Sequence, residues 1–150
     1  MVHKIQNYFM SITIEPITIA EMLQNAFQIR RDVFVLEQNV DESEEYDQEE
    51  VSTHFLALYN EIPVGTARYR KTVKGIKLER FAILKPYRSM GIGSAILQFI
   101  LNELKEYNGQ IYLHAQLTAM GLYSKFGFES VGEQFEEAGI QHYRMNFKRI

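Results

Sequence analysis

Leu78-Glu79-Arg80-Phe81-Ala82-Ile83-Leu84 runs through Lys85-Pro86-Tyr87 into Arg88-Ser89-Met90-Gly91-Ile92-Gly93-Ser94, and this stretch decides the fold. The first seven residues read as a strand. Beyond Ser94, Ile96, Leu97, Ile100, Leu101 and Leu104 recur at helical spacing to about Tyr107, where Asn108-Gly109 stops the helix. A strand that turns through glycines into a helix leaves several N–H groups unpaired and pointing one way, an anion site suited to a diphosphate. Gly91 and Gly93 let an anion approach the main chain and tolerate positive φ. A dinucleotide fingerprint fits less well, because position 96 is Ile where a third glycine is needed and the preceding antiparallel run makes no βαβ unit, and a P-loop is excluded because no Gly-Lys-Ser/Thr follows.

Outward from this centre the chain reads as β-α-loop-βββ-α-β-α-ββ. Ser11–Glu15 alternates as a strand and stops at Pro16. Thr18 and Glu21 have capping-box spacing, and the helix they open carries apolar positions to about Leu36. Strands follow at 53–59 and 64–72, joined by Asn60-Glu61-Ile62-Pro63, and Lys74-Gly75 turns into the strand at 78–84. Ile111–Gln116 is a strand, Thr118 caps a helix to about Lys125, and strands at 130–135 and 142–149 flank Glu136–Ile140. The fold class is α+β: one domain, residues 10–150, around a mixed, mostly antiparallel sheet flanked by helices. Residues 1–9 read as a loosely attached extension, with Met10 an alternative start.

The 150 residues fit one domain, with 46% apolar and 23% charged residues, as in a globular protein. No apolar run reaches the ~20 residues of a membrane span, and no secretory signal is evident. There is no cysteine, so no disulfide framework, thiolate metal site or cysteine nucleophile. A cytoplasmic protein without bound metal is expected. The net charge of −3 conceals seven acids between Asp41 and Glu50; the rest of the chain holds twelve acids against sixteen bases. That basic body suits a polyanionic ligand, and the acidic run is either a solvated loop or an attractor for a cationic substrate. Nucleic-acid binding is disfavoured, since no basic stripe interleaves with aromatics.

The element order, centred on strand–Arg-x-x-Gly-x-Gly–helix, resembles the GNAT superfamily of acyl-CoA-dependent N-acyltransferases. Gln116-Leu117-Thr118-Ala119-Met120-Gly121-Leu122-Tyr123-Ser124-Lys125-Phe126-Gly127-Phe128 is similar to that family's Asn-x-x-Ala-x-x-x-Tyr-x-x-x-Gly-Phe segment. Arg30–Gln38, Leu113-His114-Ala115-Gln116 and Phe135–Ile140 with His142 point to a YjcF/ElaA-like branch. The resemblance spans about 20–148. It implies acetyl-CoA as co-substrate, with Arg88, Ser89, Met90, Gly91, Ile92, Gly93 and Ser94 cradling the pyrophosphate and Arg88 adding charge. It implies that Phe81, Ala82 and Ile83 hold the acyl end, an N–H of Phe81 or Ile83 polarising the thioester carbonyl. Gln116 stands where the wider family has Asn, and Tyr123 is the phenol that protonates the departing thiolate.

Attack on a thioester needs a neutral amine, and a lysine-like amine is neutral in only about one molecule in 2500 at pH 7. A carboxylate or imidazole base removes much of that deficit. Glu79 and His114 are the candidates. Alternation places Glu79 with Phe81 and Ile83 on one face, and Arg80 and Ala82 on the other. Both have structural alternatives, an ion pair with a nearby arginine for Glu79 and a hydrogen-bonded core position for His114. Glu37, Gln38, Glu137 and His142 are candidates for substrate binding, with His54 a further contact, whereas Arg30 and Arg31 read as an ordinary charged helix face. The expectation is acetyl transfer to a small-molecule or peptide amine by direct attack in a ternary complex. The alternatives are a non-catalytic acyl-CoA-binding module and a transferase for a longer acyl group, since Arg30–Leu36 is faintly similar to acyl-homoserine-lactone synthases. An exposed C-terminal strand offers a surface for homodimer pairing.

Overall fold

Ile12 and Ile14 reach the core from β1 (Ile12–Pro16) in the structure, a computed structural model that describes residues 11–149. The extension expected at 1–9 lies outside the described residues. Helix α1 (Ala20–Arg30) continues into a π-helical stretch, Arg31–Glu37, so the apolar periodicity read to Leu36 is one helix with widened last turns. Its N-cap is Ile19, without a side-chain cap, and the expected capping box at Thr18 does not form. The acidic run folds a short helix, α2 (Glu42–Glu45), capped by Asp41, whose Oδ1 accepts from the Ser43 N–H at 2.9 Å.

Strands β2 (Ser52–Tyr59) and β3 (Ile62–Thr72) form a hairpin. Asn60 and Glu61 have φ of 48° and 72°. This is the two-residue turn that matches strand twist, so the turn is shorter than the expected tetrapeptide and Ile62-Pro63 belong to β3. After β4 (Gly75–Ile83), helix α3 (Ile92–Glu103) starts two residues before Ser94 and ends before Tyr107. Then come β5 (Ile111–Gln116), α4 (Met120–Lys125), β6 (Phe128–Glu137) and β7 (Ile140–Phe147). Thr118 does not cap α4; a 3-10 turn, Leu117–Ala119, precedes it. The two last strands meet at Ala138-Gly139, with φ of 52° and 77°, closing a gap expected to be five residues wide.

Among the described residues the seven strands form one sheet in the order β1-β2-β3-β4-β5-β7-β6. Only β4 and β5 run parallel. The C-terminal strand β7 therefore lies inside the sheet, and β6 forms the edge, which corrects the surface expected for pairing. No helix of the described residues is long and apolar enough to cross a membrane. Ile92, Ile96, Leu97 and Ile100 of α3 pack on one sheet face with Phe55, Leu78 and Leu113. Ala26, Ile29 and Val33 cover the other face over Leu56 and Ala82.

Two irregularities open the middle of the sheet. Strands β4 and β5 pair only from Ile76–Leu78 against Ile111–Leu113, and beyond that they part. Arg68 of β3 faces Glu79 while Thr66 faces Ala82, so β4 carries an extra residue that bulges out at Arg80, whose φ is 58°. The bulge resets the alternation. Phe81 and Ile83 join the α3 core, and Ala82 joins the α1 core. Glu79 pairs with Arg68 and Arg70, not with the face of Phe81 and Ile83 as strict alternation predicted.

Candidate active site

A cavity of about 580 Å³ passes through the opening between β4 and β5. Its walls include Gln38, Glu79, Phe81, Ala82, Ile83, Arg88, Gly93, His114, Gln116, Tyr123, Glu137 and His142, residues drawn from both sheet faces. On β5, Leu113 and Ala115 belong to the α3 core, so alternation along the strand leaves His114 and Gln116 on the α1 face. Tyr123 and Phe81 lie on the α3 face, their rings edge-on at 5.5 Å.

The glycine turn opens onto the α3 side. Gly91 is the N-cap in the left-handed region, φ 83°, and no side chain caps the helix. The first intrahelical bond runs from the Ala95 N–H to the Gly91 carbonyl at 3.0 Å. The N–H groups of Ile92, Gly93 and Ser94 therefore have no acceptor within the helix. A Cβ on Gly91 would meet nothing within 4 Å, so the turn is an open cradle. Main-chain donors at a helix start, with room above them, fit a diphosphate. Leu84 donates its N–H to Val64 of β3. Strand alternation then turns the N–H groups of Ile83 and Phe81 the other way, into the gap.

Arg88 departs from the role expected of it. Its Nη1 and Nη2 donate to Glu37 at 2.6 and 2.7 Å, and its Nε donates to the Ile83 carbonyl at 2.9 Å. Its charge is paired with Glu37 at an exposed position beside the glycine turn. The neighbouring Gln38 exchanges amide hydrogen bonds with Gln116 at 3.0 and 3.5 Å. Two consecutive residues at the end of the π-helical stretch thus hold both lips of the opening. Ser89 and Met90 form the exposed outside of the turn.

Glu79 is bound by cations. Its Oε2 lies 2.6 Å from Arg68 and 2.7 Å from Arg70, and its Oε1 lies 3.4 Å from Lys77. Burial opposes its ionisation, but the Arg70 hydrogen bond and the charges of Arg68, Lys77 and Arg80 prevail and hold the carboxyl at about 2. Such a carboxylate is a counter-ion and a poor proton acceptor, which corrects the expectation of Glu79 as a base. Beneath it the acidic run is anchored through Glu45, Asp47 and Glu49, while Asp41, Glu42, Glu44 and Glu50 stay exposed. Glu45 and Glu49 bind Arg30 at 2.9 and 2.8 Å, Glu49 and Asp47 bind Arg68 at 2.7 and 3.1 Å, and Asp47 binds Arg80 at 3.1 Å. Arg30, read as a surface charge, is fully buried. Arg31 pairs with Glu42 on the outside. The buried Glu45 Oε2 has no hydrogen-bond partner, and burial raises that carboxyl against the pull of Arg30 and Arg80. His54 packs behind this network with its Nε2 3.0 Å from the Glu49 carbonyl, away from the cavity.

On the α1 face His114 Nδ1 is 3.2 Å from Glu137 Oε1. The Glu137 carboxyl is held at about 2, first by that hydrogen bond, against burial, with help from Lys77, His114 and His142. Across the opening, burial pushes the Tyr123 phenol well above its ordinary range, so it stays protonated. Its hydroxyl makes no hydrogen bond to the described residues. The cavity therefore joins a protonated phenol on one face to an imidazole on the other. Sequence reasoning allowed an arginine partner for Glu79 but did not identify Arg68, Arg70 and Lys77, which fix it; the signal available was a set of bases on adjoining strands facing one acid. It also missed Arg30 as a core residue, although Arg30 lies four residues from both Ala26 and Phe34 on the apolar stripe. Among the described residues no His, Asp and Glu cluster could hold a metal.

Comparison with known proteins agrees with this architecture. The family model described as "Acetyltransferase (GNAT) domain" matches residues 20–149. The "Uncharacterized N-acetyltransferase YjcF" of Bacillus subtilis is 38% identical over 128 residues, covering 83% of this chain and 91% of its own. The crystal structure of Escherichia coli ElaA superposes with a TM-score of 0.76 at 24% identity, over 92% of this chain and 100% of that one. Arabidopsis thaliana Naa50, in complex with the bisubstrate analogue CoA-Ac-MVNAL, superposes with a TM-score of 0.70 at 25% identity, over 93% and 99%.

Proposed function

Because this chain belongs to the acetyltransferase (GNAT) family and is a GNAT-type N-acetyltransferase, we propose that it transfers acetyl from acetyl-CoA to an amine by direct attack in a ternary complex. The carrying observation is the cavity through the β4–β5 opening, with a buried phenol on one side and an imidazole on the other. Acetyl-CoA supplies the acetyl group as a thioester, whose C–S bond breaks as the amine nitrogen bonds to the carbonyl carbon.

In this reading the N–H groups of Ile92, Gly93 and Ser94, on the turn Arg88–Gly91, bind the diphosphate. The N–H groups of Phe81 and Ile83 donate to the carbonyl oxygen where charge develops, a contribution of several kcal/mol in other enzymes. His114 accepts the proton that the amine loses. Tyr123 gives its proton to the sulfur as the thiolate departs, burial holding the phenol protonated until then. Gln38 frames the acceptor side and holds Gln116, while Glu37 pairs with Arg88 beside the glycine turn. The Naa50 complex carries a peptide, MVNAL, on its CoA analogue, so a peptide amino terminus belongs in the acceptor panel beside small amines.

The test is free-thiol release from acetyl-CoA across amino acids, polyamines and short peptides. Tyr123→Phe is expected to lower kcat about a hundredfold or more while leaving acetyl-CoA binding intact. Equal turnover by Tyr123→Phe would remove the phenol from the mechanism, and absence of thiol release with every amine would reject the acceptor class.

A further inference from the structure

We propose that Glu137 is the positioning residue of the acceptor base: its carboxylate holds the proton of His114 on Nδ1, leaves the Nε2 lone pair for the incoming amine, and stabilises the imidazolium that forms. This inference rests on the reading of His114 as base, and it assigns to Glu137 a task different from the substrate contact expected of it.

The geometry is built from three elements. Glu137 ends β6 immediately before the Ala138-Gly139 turn, whose two left-handed residues fix the direction in which the strand ends. His114 on β5 presents Nδ1 to Glu137 Oε1 at 3.2 Å, and a carboxylate oxygen there requires an N–H on that nitrogen. Phe135 locks both imidazoles around the carboxylate. Its ring is edge-on to His114 at 4.9 Å and stacked with His142 at 5.9 Å. His142 donates Nδ1–H to the Ile140 carbonyl at 2.7 Å, so its Nε2 faces Glu137 Oε2 at 3.9 Å, too far for a hydrogen bond. His142 thus leaves Glu137 to His114.

The other charged groups nearby favour the same division of labour. Lys77 of β4 supports the ionised Glu137 while also pairing with Glu79. Arg144 of β7, the cross-strand neighbour of His114, is turned over the Tyr112 ring at 4.6 Å and bonds Asn146. The Tyr112 hydroxyl is occupied by Thr72. Glu137 is thus the carboxylate that meets the His114 ring. The proton passes from the amine nitrogen to Nε2 as the new N–C bond forms, and the positive charge created on the ring lies against the ionised Glu137.

The experiment reads the ring directly. In wild-type enzyme labelled with 15N-histidine, the neutral His114 ring is expected to show a protonated Nδ1 and an unprotonated Nε2. Glu137→Ala should move it toward the Nε2–H tautomer and lower kcat/KM for the amine by about two orders of magnitude, with KM for acetyl-CoA unchanged. Glu137→Gln keeps an acceptor oxygen without the charge, so it should retain the tautomer and lose about tenfold. Thermal melts of both variants within a few degrees of wild type confirm that folding is intact. Ring signals unchanged in Glu137→Ala overturn the proposal whatever the activity. Normal turnover by His114→Ala overturns it too, while leaving acetyl transfer itself standing. A wild-type enzyme that releases no thiol fails the function, not the ring geometry.

Discussion

Glu79 and Glu137 are both held at about 2, yet their surroundings give them opposite uses. Glu79 faces permanent cations, so its negative charge is consumed in the ground state. Glu137 faces the His114 imidazole, which in the proposed mechanism gains charge during reaction, where the carboxylate's field would act. The folded-state value of Glu79 lies below its ordinary value of 4.5, so its contribution to stability is present above about 4.5 and is lost as pH falls toward 2. Its size is on the order of 3 kcal/mol. Thermal melts between pH 6 and 2 should show this loss in wild type and a flattened profile in Glu79→Gln. That variant should also melt lower at neutral pH, by about 1.5–3 kcal/mol of stability, because Arg68 loses a charged hydrogen-bond partner and keeps only Glu49 and Asp47. Tyr123→Phe removes a hydroxyl that bonds no described residue, so its melting temperature should stay near wild type while its turnover falls. The Tyr123 position was legible because its spacing from the following Gly-Phe repeats a family segment. The ion pair of Glu79 was among its alternatives, but its separation from Phe81 and Ile83 was not legible, because a bulge at Arg80 moves those two to the other face and leaves no mark in the residue types.

The element that governs access is the π-helical stretch ending at Glu37-Gln38. Glu37 is tied to Arg88 behind β4, and Gln38 to Gln116 at the end of β5. The short Arg88 pair is exposed, so it competes directly with any diphosphate that reaches the glycine turn. Glu37→Gln should release Arg88 and tighten acetyl-CoA binding several-fold, as read by calorimetry; weaker binding would show that the pair props the turn open. At the turn itself, Gly91→Val places a branched side chain at φ 83°, at a cost of about 1–2 kcal/mol from the backbone alone. Acetyl-CoA should then protect the variant against heat less than it protects wild type. Helix and strand types were readable from their apolar periods. Their ends were not, because Ile19 and Ala119 begin helices without a capping side chain and tertiary packing sets the boundary.

At the scale of the whole molecule, the order of elements and the mixed sheet could be read from the sequence, since each strand and helix keeps its own period. The strand order and the acidic run could not. Seven acids in ten residues look solvated, and five of them are exposed, but Glu45 and Glu49 reach the buried Arg30 and Arg68 and pin the run by ion pairs. The parting of β4 from β5 has a kinetic consequence. With the glycine turn and the phenol on one sheet face and the imidazole on the other, the proposed mechanism brings the two substrates in through separate doors. Desulfo-CoA should therefore compete with acetyl-CoA but not with the amine, and saturating amine should leave its inhibition constant little changed. A double-reciprocal plot for the two substrates should give intersecting lines, the signature of a complex that holds both before either product leaves.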